Sequence, residues 1–260
     1  ILEIGPGDNL GVALRFYAAG AEKVVCLDKF FSHRDANQQK VIYAALRERL
    51  PEDQRARYDR ALNLNTGEID PECIQYSYGA PAEQADSIVG RETFDLIVSR
   101  AVMWEIYEIE AALRALDRTL KPGGKVIHKI ACLDWMFREN GHHPLEFLTV
   151  PEPIYRWMAR DSGKSNRRNI DFYRRFMRQL GYETIFHITK VVGTSTAEFP
   201  PGVTELTRDV HYTQREIDSL AAIRPRLLPQ FKALSDHDLL VEDMFVVGEK
   251  SGAAACRAIA

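Results

Sequence analysis

Short apolar runs alternate with helical patterns along the first half of the chain. Apolar strands are predicted at residues 2–4, 23–27, 73–78, 94–99 and 125–131. Helical spacing of apolar residues begins with Leu10, Leu14 and Ala18 and returns over residues 109–120. Such alternation of strands and helices predicts an α/β fold built on a parallel sheet.

The connection between the second and third predicted strands is longer than a minimal crossover. Its first part is predicted to be a helix that ends at Pro51, with an apolar face formed by Ile42, Ala45, Leu46 and Leu50. The charged residues 52–71 that come next are expected to be partly helical. They would either cap a substrate pocket or form a solvated surface helix.

Helix-end signals organise the second half of the chain. Asn169 and Gly181 are placed to begin and end one helix. Thr213 and Glu216 have the spacing of a capping box and open another. Further strands are predicted at residues 183–192 and 239–247.

A glycine turn, Gly5-Pro6-Gly7, follows the first predicted strand and precedes the first helix. Glycine permits the unusual dihedral angles of such a turn and lets a ligand approach the main chain closely. The N–H groups at the helix start then face that ligand. Asp28, at the carboxyl end of the second strand, is placed to accept hydrogen bonds from two ribose hydroxyls. The pattern predicts a nucleotide-cofactor site, with an ordinary strand-ending turn as the alternative.

The spacing of the glycines separates two cofactor classes. A dinucleotide fingerprint, Gly-x-Gly-x-x-Gly, would place its third glycine at position 10. That residue is Leu10, and the next glycine is Gly11. The spacing therefore disfavours a nicotinamide cofactor.

Together with Glu3, the turn resembles motif I of the class I S-adenosylmethionine (SAM) dependent methyltransferases, commonly Glu/Asp-x-Gly-x-Gly-x-Gly. Asn9 stands where that motif has its third glycine. Three more segments resemble the family, in its order and at its spacing. They are APAEQ at residues 80–84, like the loop that flanks adenine, FDLIVSRAV at 94–102, like the fourth strand, and RTLKPGGKVIHKI at 118–130, like the fifth.

The resemblance implies a Rossmann-like, seven-stranded, mostly parallel sheet with helices on both faces and an antiparallel last strand. It also implies that SAM is the cofactor. Glu3 would support the turn and reach the cofactor's amino group through water, Gly5-Pro6-Gly7 would approach its methionine end, and Asp28 would bind its ribose. The other implied cofactor residues are Lys29 beside the adenosine, Ala82 and Glu83 at the adenine, and Ser99 and Arg100 on the wall towards the acceptor. Pro81 departs from the acidic residue that many relatives carry there.

Methyl transfer is an in-line displacement from an activated sulfonium, so the protein chiefly positions the acceptor in a dry pocket. A hydroxyl acceptor also needs a base, for which histidine or a carboxylate is suited. The candidates are His128 in the strand at residues 125–131, His142 and His143 in the loop after it, and Glu105. The alternative for His128 is a structural role, in which its side chain packs within a mostly apolar strand. Many small-molecule members of the family have Glu-His at the position of Glu105, and this chain lacks that histidine.

The residues after the fourth strand narrow the class of acceptor. Residues 99–102 are SRAV rather than Asn-Pro-Pro-Tyr, which disfavours nucleobase N-methylation, and the histidines favour an oxygen atom of a small molecule. Residues 156–178 hold eight Lys or Arg against two Asp, which indicates a solvated helix face or an anionic acceptor. Nucleic acid is disfavoured because no exposed basic stripe interleaved with aromatic residues is recognisable. Metal binding is disfavoured because the adjacent histidines lack an obvious carboxylate companion.

Composition suits one sizeable domain, since the 260 residues are 45% hydrophobic with a net charge of −3. We expect that domain to cover residues 1–250, with a substrate-side elaboration at 131–180 and a flexible tail at 251–260. The charge gives no general attraction for nucleic acid or an anionic membrane. Scattered cysteines and the lack of an apolar span or leader favour a cytoplasmic protein. Because the chain starts inside its first strand without methionine, we expect the family's lead-in segment to be missing.

Two alternatives to a methyltransferase remain. A catalytically silent SAM-binding domain that serves in assembly would keep Asp28 and the glycines, and the missing histidine beside Glu105 is compatible with it. A nicotinamide-dependent oxidoreductase would need the turn to accept a pyrophosphate, which Leu10 disfavours. The acceptor's identity and the oligomeric state are left open.

Overall fold

The computed structural model describes residues 1–134, 137, 141–160, 165–193 and 198–252. The chain divides into two units, which are described separately. Unit 1 contains Ile1–Arg100 and Ala111–Lys125, and unit 2 contains Ala101–Glu110 and Val126–Ala260 as far as the latter is described. Most of the predicted tail lies outside the described residues. One domain over residues 1–250 stays a prediction.

Unit 1 alternates strands and helices. Its strands are β1 (Leu2–Ile4), β2 (Val24–Leu27), β3 (Leu62–Asn63), β4 (Glu68–Ile69), β5 (Ile74–Ser77) and β6 (Phe94–Arg100). Its helices are α1 (Gly11–Ala18), α2 (Ala36–Glu48), α3 (Glu52–Ala61) and α4 (Ala85–Val89). Helix α5 (Ile109–Thr119) and strand β7 (Leu120–Ala131) have residues in both units.

The strands β5, β2, β1 and β6 pair in parallel. Ile4 lies beside Leu27 and Ser99, and Leu27 lies beside Ser77. The register therefore makes the carboxyl ends of four strands level with one another. Ligands of open α/β sheets bind outside this edge.

One hydrophobic cluster packs α1, α2 and α3 against β2 and β5. Its fully buried members include Leu14 and Tyr58, and the Tyr58 hydroxyl donates to the Tyr43 carbonyl at 2.9 Å. The prediction for the inner face of α2 was partly wrong, because its buried residues are Gln39 and Tyr43 whereas Ala45 is exposed. These two polar side chains can be buried because each forms a hydrogen bond with the chain that follows β1.

Unit 2 has further helices and strands among its described residues. They are α6 (Glu152–Ala159), α7 (Ile170–Gln179), β8 (Tyr182–Val191), α8 (Gln214–Ile223), α9 (Pro229–Lys232), α10 (Asp236–Leu240) and β9 (Val241–Lys250). Both predicted helix starts are confirmed. The Asn169 side chain accepts from the Phe172 N–H at 3.1 Å, and Thr213 with Glu216 forms both bonds of a capping box.

Seven strands form one sheet in the order β5-β2-β1-β6-β7-β9-β8. The last strand of the chain, β9, runs antiparallel to β8. The predicted fold class is therefore confirmed as a Rossmann-like, mostly parallel sheet with an antiparallel last strand and helices around it. Within the described ranges, no helix combines the length and the apolar character needed to cross a bilayer.

Candidate cofactor site and catalytic residues

The glycine turn has the backbone conformation that its sequence predicts. Gly5 and Gly7 have φ angles of 67° and 70°, a region that side chains with a Cβ rarely occupy. The Gly5 N–H donates to the Leu27 carbonyl at 2.9 Å, which ties the turn to β2. A Cβ added to Gly7 would meet no atom within 4 Å, so its φ angle, rather than crowding, requires glycine there. The turn therefore leaves open space beside Gly7.

The carbonyl groups of the loop after the turn are tied back to neighbouring side chains. The Arg34 Nη2 donates to the Gly7 carbonyl at 2.9 Å, and the Gln39 Nε2 donates to the Asp8 carbonyl at 3.0 Å. A trans peptide directs its N–H away from its C=O, so the N–H groups of Asp8 and Asn9 point away from these side chains. Neither N–H has a hydrogen-bond partner among the described residues. The loop is thus preformed to donate to a ligand.

Asp28 presents a carboxylate at the level edge of the sheet. Its N–H donates to Ser77 and its C=O accepts from Ala80, both at 2.9 Å, so its backbone is held in place. One carboxylate oxygen, Oδ1, accepts from the Phe30 N–H at 3.0 Å. The other oxygen has no hydrogen-bond donor in the described part of the chain. A half-buried carboxylate with a spare oxygen is suited to bind ribose hydroxyls.

The remaining cofactor candidates lie at or near the carboxyl ends of the same strands. Ser99 is buried and Arg100 exposed at the end of β6, while Lys29 directly follows Asp28. Ala82 is buried and Glu83 half-buried in a 3-10 turn over Ala82–Gln84, downstream of β5. The parallel register brings Ser99, and Leu27 just before Asp28, to the same edge as the glycine turn, and β5 ends level with them at Ser77.

Glu3 lies beneath the turn and is 5% exposed. Burial raises the pKa of its carboxyl to about 7. A hydrogen bond from the Cys26 thiol, the charge of Arg34 and the Ala13 N–H in α1 oppose that rise in pKa. Glu3 therefore titrates near neutral pH.

Two features of this edge are not predicted by the sequence patterns. An exposed aromatic cluster includes Phe31 and Tyr78, whose rings meet edge to face with centroids 5.0 Å apart. The second is Arg34, which reaches the glycine turn from the loop before α2. The pair Phe30-Phe31 directly after Asp28 is the signal that could have revealed the first. No local sequence pattern predicts the contact of Arg34, because Gly7 is 27 residues away in the sequence.

These residues fit a nucleoside cofactor that also carries a charged amino-acid end. The loop offers unpaired N–H groups and open space beside Gly7, and Asp28 offers a spare carboxylate oxygen. The Nε atom of Arg34 is buried and has no hydrogen-bond partner among the described residues. Binding of SAM would use Gly5, Gly7 and Asp28 from this edge.

The candidate catalytic residues belong to unit 2 and differ in exposure. His128 lies in β7 and is 2% exposed, and burial lowers its pKa to about 4, so it is neutral at pH 7. His142 and Glu105 are exposed. Glu105 lies on the loop before α5, which Asn166 holds by donating to the carbonyls of Met103, at 2.8 Å, and Ile106, at 2.9 Å.

The two adjacent histidines are held in different ways. His143 accepts from the Leu145 N–H at its Nδ1, so its Nε2 donates to the Ser219 hydroxyl at 2.9 Å. That arrangement occupies both ring nitrogens. His142 instead contacts Glu146 through Nδ1 at 3.2 Å, and hydrogen bonds from Arg226 and His142 hold the pKa of Glu146 below its ordinary value. A carboxylate that orients Nδ1–H leaves the opposite nitrogen of His142 able to accept a proton.

The basic segment at residues 156–178 is largely paired with carboxylates where it is described. Arg167 is buried and pairs with Glu152. Three further ion pairs are Arg168 with Glu110, Arg174 with Asp238 and Arg175 with Asp171. These contacts favour the solvated, structural interpretation over an anion site. In the described part of the chain, no three His, Cys, Asp or Glu side chains are grouped to hold a metal ion.

Comparisons with known proteins identify the family of the chain. A family model described as a methyltransferase domain matches residues 1–187. Similar solved structures include the YcgJ protein from Bacillus subtilis, with 14% identity over 97% of this chain and 92% of that chain and a TM-score of 0.46. An S-adenosylmethionine-dependent methyltransferase from Mesorhizobium loti has 15% identity over 96% of this chain and 89% of that chain, with a TM-score of 0.45. A search of curated proteins finds no match.

A third similar structure is phosphoethanolamine N-methyltransferase 2 from Haemonchus contortus, in complex with S-adenosyl-L-methionine. Its identity is 14% over 96% of this chain, and its TM-score is 0.46. The chain spans 48% of that protein, and the same share of the CurJ carbon methyltransferase chain.

The family match covers most of the chain, which therefore belongs to the family of methyltransferase domains. It is a methyltransferase domain, and its seven-stranded sheet has the Rossmann-like architecture described above. Membership of a methyltransferase family does not support the nicotinamide-dependent oxidoreductase. Leu10 agrees, since it is buried in the core rather than open to a pyrophosphate.

Proposed function

We propose that this chain transfers the methyl group of SAM to an oxygen atom of a small molecule. The observation that carries its cofactor part is the spare carboxylate oxygen of Asp28, level with the glycine turn and its unpaired N–H groups. When bound, SAM supplies an electrophilic methyl group. The chain's own residues bind the cofactor and remove a proton from the acceptor.

The cofactor residues proposed are Glu3, Gly5, Pro6, Gly7, Asp28, Lys29, Ala82, Glu83, Ser99 and Arg100. Asp28 would accept from the ribose hydroxyls, while the N–H groups after Gly7 would donate to the methionine end. Ala82 begins a 3-10 turn, so its backbone is ordered beside the place proposed for adenine. Burial of Ser99 at the strand end supports a dry wall on that side.

His142 is the proposed general base. Its contact with the ionised Glu146 orients the ring through Nδ1, so that the opposite nitrogen is the one that would take the acceptor's proton. An oxygen acceptor needs such a base because a hydroxyl is protonated at neutral pH, whereas many amines partly lose their proton without help. Glu105 remains a second candidate, since it is exposed on a loop that Asn166 holds in place.

The test is a methyl-transfer screen with isotope-labelled SAM and paired acceptors that differ only in bearing a hydroxyl or an amino group. We expect label on the hydroxyl member of at least one pair. His142→Asn should lower kcat roughly 100-fold with that acceptor and leave S-adenosylhomocysteine (SAH) affinity unchanged. Gln230→Ala, at an exposed position, is the control and should leave both unchanged.

Other results of the screen would count against the proposal. Label found only on amines would contradict the oxygen acceptor. Saturable SAH binding without turnover on any acceptor would support the silent SAM-binding domain instead. A normal rate in the His142 variant would remove this residue from catalysis.

A further inference from the structure

We propose that Arg34 is a positioning residue for the cofactor: its guanidinium fixes the Gly7 carbonyl and so directs the N–H groups of the loop towards the ligand. The inference rests on the proposed cofactor site at residues 5–7 and 28. It assigns a role to a side chain outside the glycine motif.

The position of Arg34 is set by two contacts. Its Nη2 donates to the Gly7 carbonyl at 2.9 Å, and its Cζ lies 4.0 Å from the centroid of the Tyr76 ring on β5. A planar guanidinium that stacks on an aromatic ring has little freedom to rotate. Arg34 therefore connects the loop after β1 to β5.

Arg34 controls the part of the loop that has the greatest conformational freedom. Gly7 has a φ of 70°, and glycine can leave that region at little cost. Fixing the Gly7 carbonyl also fixes the N–H of Asp8, because the two groups lie in one peptide plane and point in opposite directions. The neighbouring contact from Gln39 to the Asp8 carbonyl does the same for the N–H of Asn9.

Two more observations distinguish Arg34 from an ordinary packing arginine. Its Nε is buried without a hydrogen-bond partner among the described residues, a costly state that a bound ligand could relieve. Its charge also stabilises the ionised form of Glu3 and so lowers the pKa of that carboxyl against the effect of burial. The other groups that act on Glu3 are the Cys26 thiol on β2 and the Ala13 N–H on α1.

Arg57 provides a matched control in the same unit. It donates to the carbonyls of Tyr17, at 2.9 Å, and Ala21, at 2.6 Å, and its Cζ lies 4.6 Å from the Tyr17 ring centroid. Its contacts are of the same kind as those of Arg34 but are made to the end of α1 remote from the glycine turn. Loss of Arg57 therefore removes comparable interactions without touching the loop.

The experiment is calorimetric titration of the whole chain with SAH between pH 6 and 9. Arg34→Met should weaken binding about tenfold or more at pH 8, because the loop is released and Glu3 loses its counter-charge. Arg34→Lys keeps the charge and one donor but loses the planar group that stacks on Tyr76, so its affinity should lie between those of Arg34→Met and the wild type. Arg57→Met should bind SAH as the wild type does.

The pH dependence supplies a readout that a purely structural role would not change. Wild-type affinity should fall as the pH is lowered through about 7, where Glu3 takes up a proton. In Arg34→Met this midpoint should move to higher pH, whereas Arg57→Met should leave it in place. Equal losses of affinity in the two Met variants, or an unmoved midpoint, would overturn the proposal.

Asp28→Asn, titrated in parallel, separates this inference from the proposed function. Wild-type binding that Asp28→Asn weakens and Arg34→Met does not would overturn the role of Arg34 alone. Absence of SAH binding by the wild type would overturn both.

Discussion

Replacing Asp28 with alanine is expected to weaken SAH binding roughly 100-fold, because two charge-assisted hydrogen bonds to ribose are lost. The spare carboxylate oxygen makes this the largest single contribution predicted for a side chain of the site. Asp28→Asn keeps an oxygen for the Phe30 N–H but replaces the charge and the spare acceptor oxygen with an NH2 donor, so its affinity should lie between those of the alanine variant and the wild type. Calorimetric titration with SAH measures both variants.

Asp95→Ala is the matched control. Asp95 is an exposed aspartate of the same unit that pairs with Lys121 at 2.8 Å, and such surface pairs contribute little. It should change neither SAH affinity nor the midpoint of thermal unfolding by much. Retention of wild-type affinity by Asp28→Ala would show that the ribose is bound elsewhere.

Glu3→Gln is expected to make the protein more stable at pH 8 while weakening SAH binding. The carboxyl is 5% exposed, and burial raises its pKa from an ordinary value of 4.5 to about 7. The folded state therefore binds the proton more tightly than the unfolded state. Stability from this group is fully present below pH 4.5 and falls as the pH rises to about 7, because a buried charge must then form.

The expected size depends on the pKa shift. The rise in the pKa of Glu3 from 4.5 to about 7 corresponds to a loss of up to about 3 kcal/mol in the free energy of unfolding as the pH rises through that range. His128 acts in the opposite direction, since its pKa is lowered to about 4 and its contribution to stability rises with pH. The effect of Glu3 must therefore be measured as the difference between wild type and Glu3→Gln.

Urea unfolding of both proteins at pH 5 and pH 8 tests this prediction. The free energy of unfolding of Glu3→Gln minus that of the wild type should be larger at pH 8 than at pH 5. Glu22→Gln, at an exposed position, is the control and should match the wild type at both pH values. An equal difference at the two pH values would show that Glu3 does not ionise across this range.

Much of the fold could be predicted from local sequence. β1 occupies the predicted residues 2–4, and the glycine turn after it has positive φ angles. Asn169 and the Thr213–Glu216 pair cap their helices as predicted, because a cap depends on residues only a few positions apart.

Two elements differ from what the local sequence predicts. The region at residues 52–71 contains the β3–β4 hairpin after α3, which its charged composition concealed. β7 begins at Leu120 rather than at 125, so the strand includes the sequence KPGG at 121–124, which favours a turn on its own. In the hairpin, backbone pairing of Leu62 with Ile69 and of Asn63 with Glu68 forms the strands, whatever the propensity of the single residues.

In the candidate site, too, some residues could be predicted from the sequence and others could not. The glycines and Asp28 could be chosen from sequence because parallel strands end at one edge of a sheet. The contacts of Arg34, Gln39 and Tyr43 with the glycine loop could not, because they depend on how α2 packs against α1. The paired state of Arg167 and its neighbours likewise appears only in the folded chain.

The most direct test of the central claim is calorimetric titration of the wild-type chain with SAH at pH 8, beside an identical titration with NADH. The account predicts saturable binding of SAH at a single site and no binding of NADH. Binding of NADH alone, or of neither ligand, would contradict a SAM site at the glycine turn and Asp28.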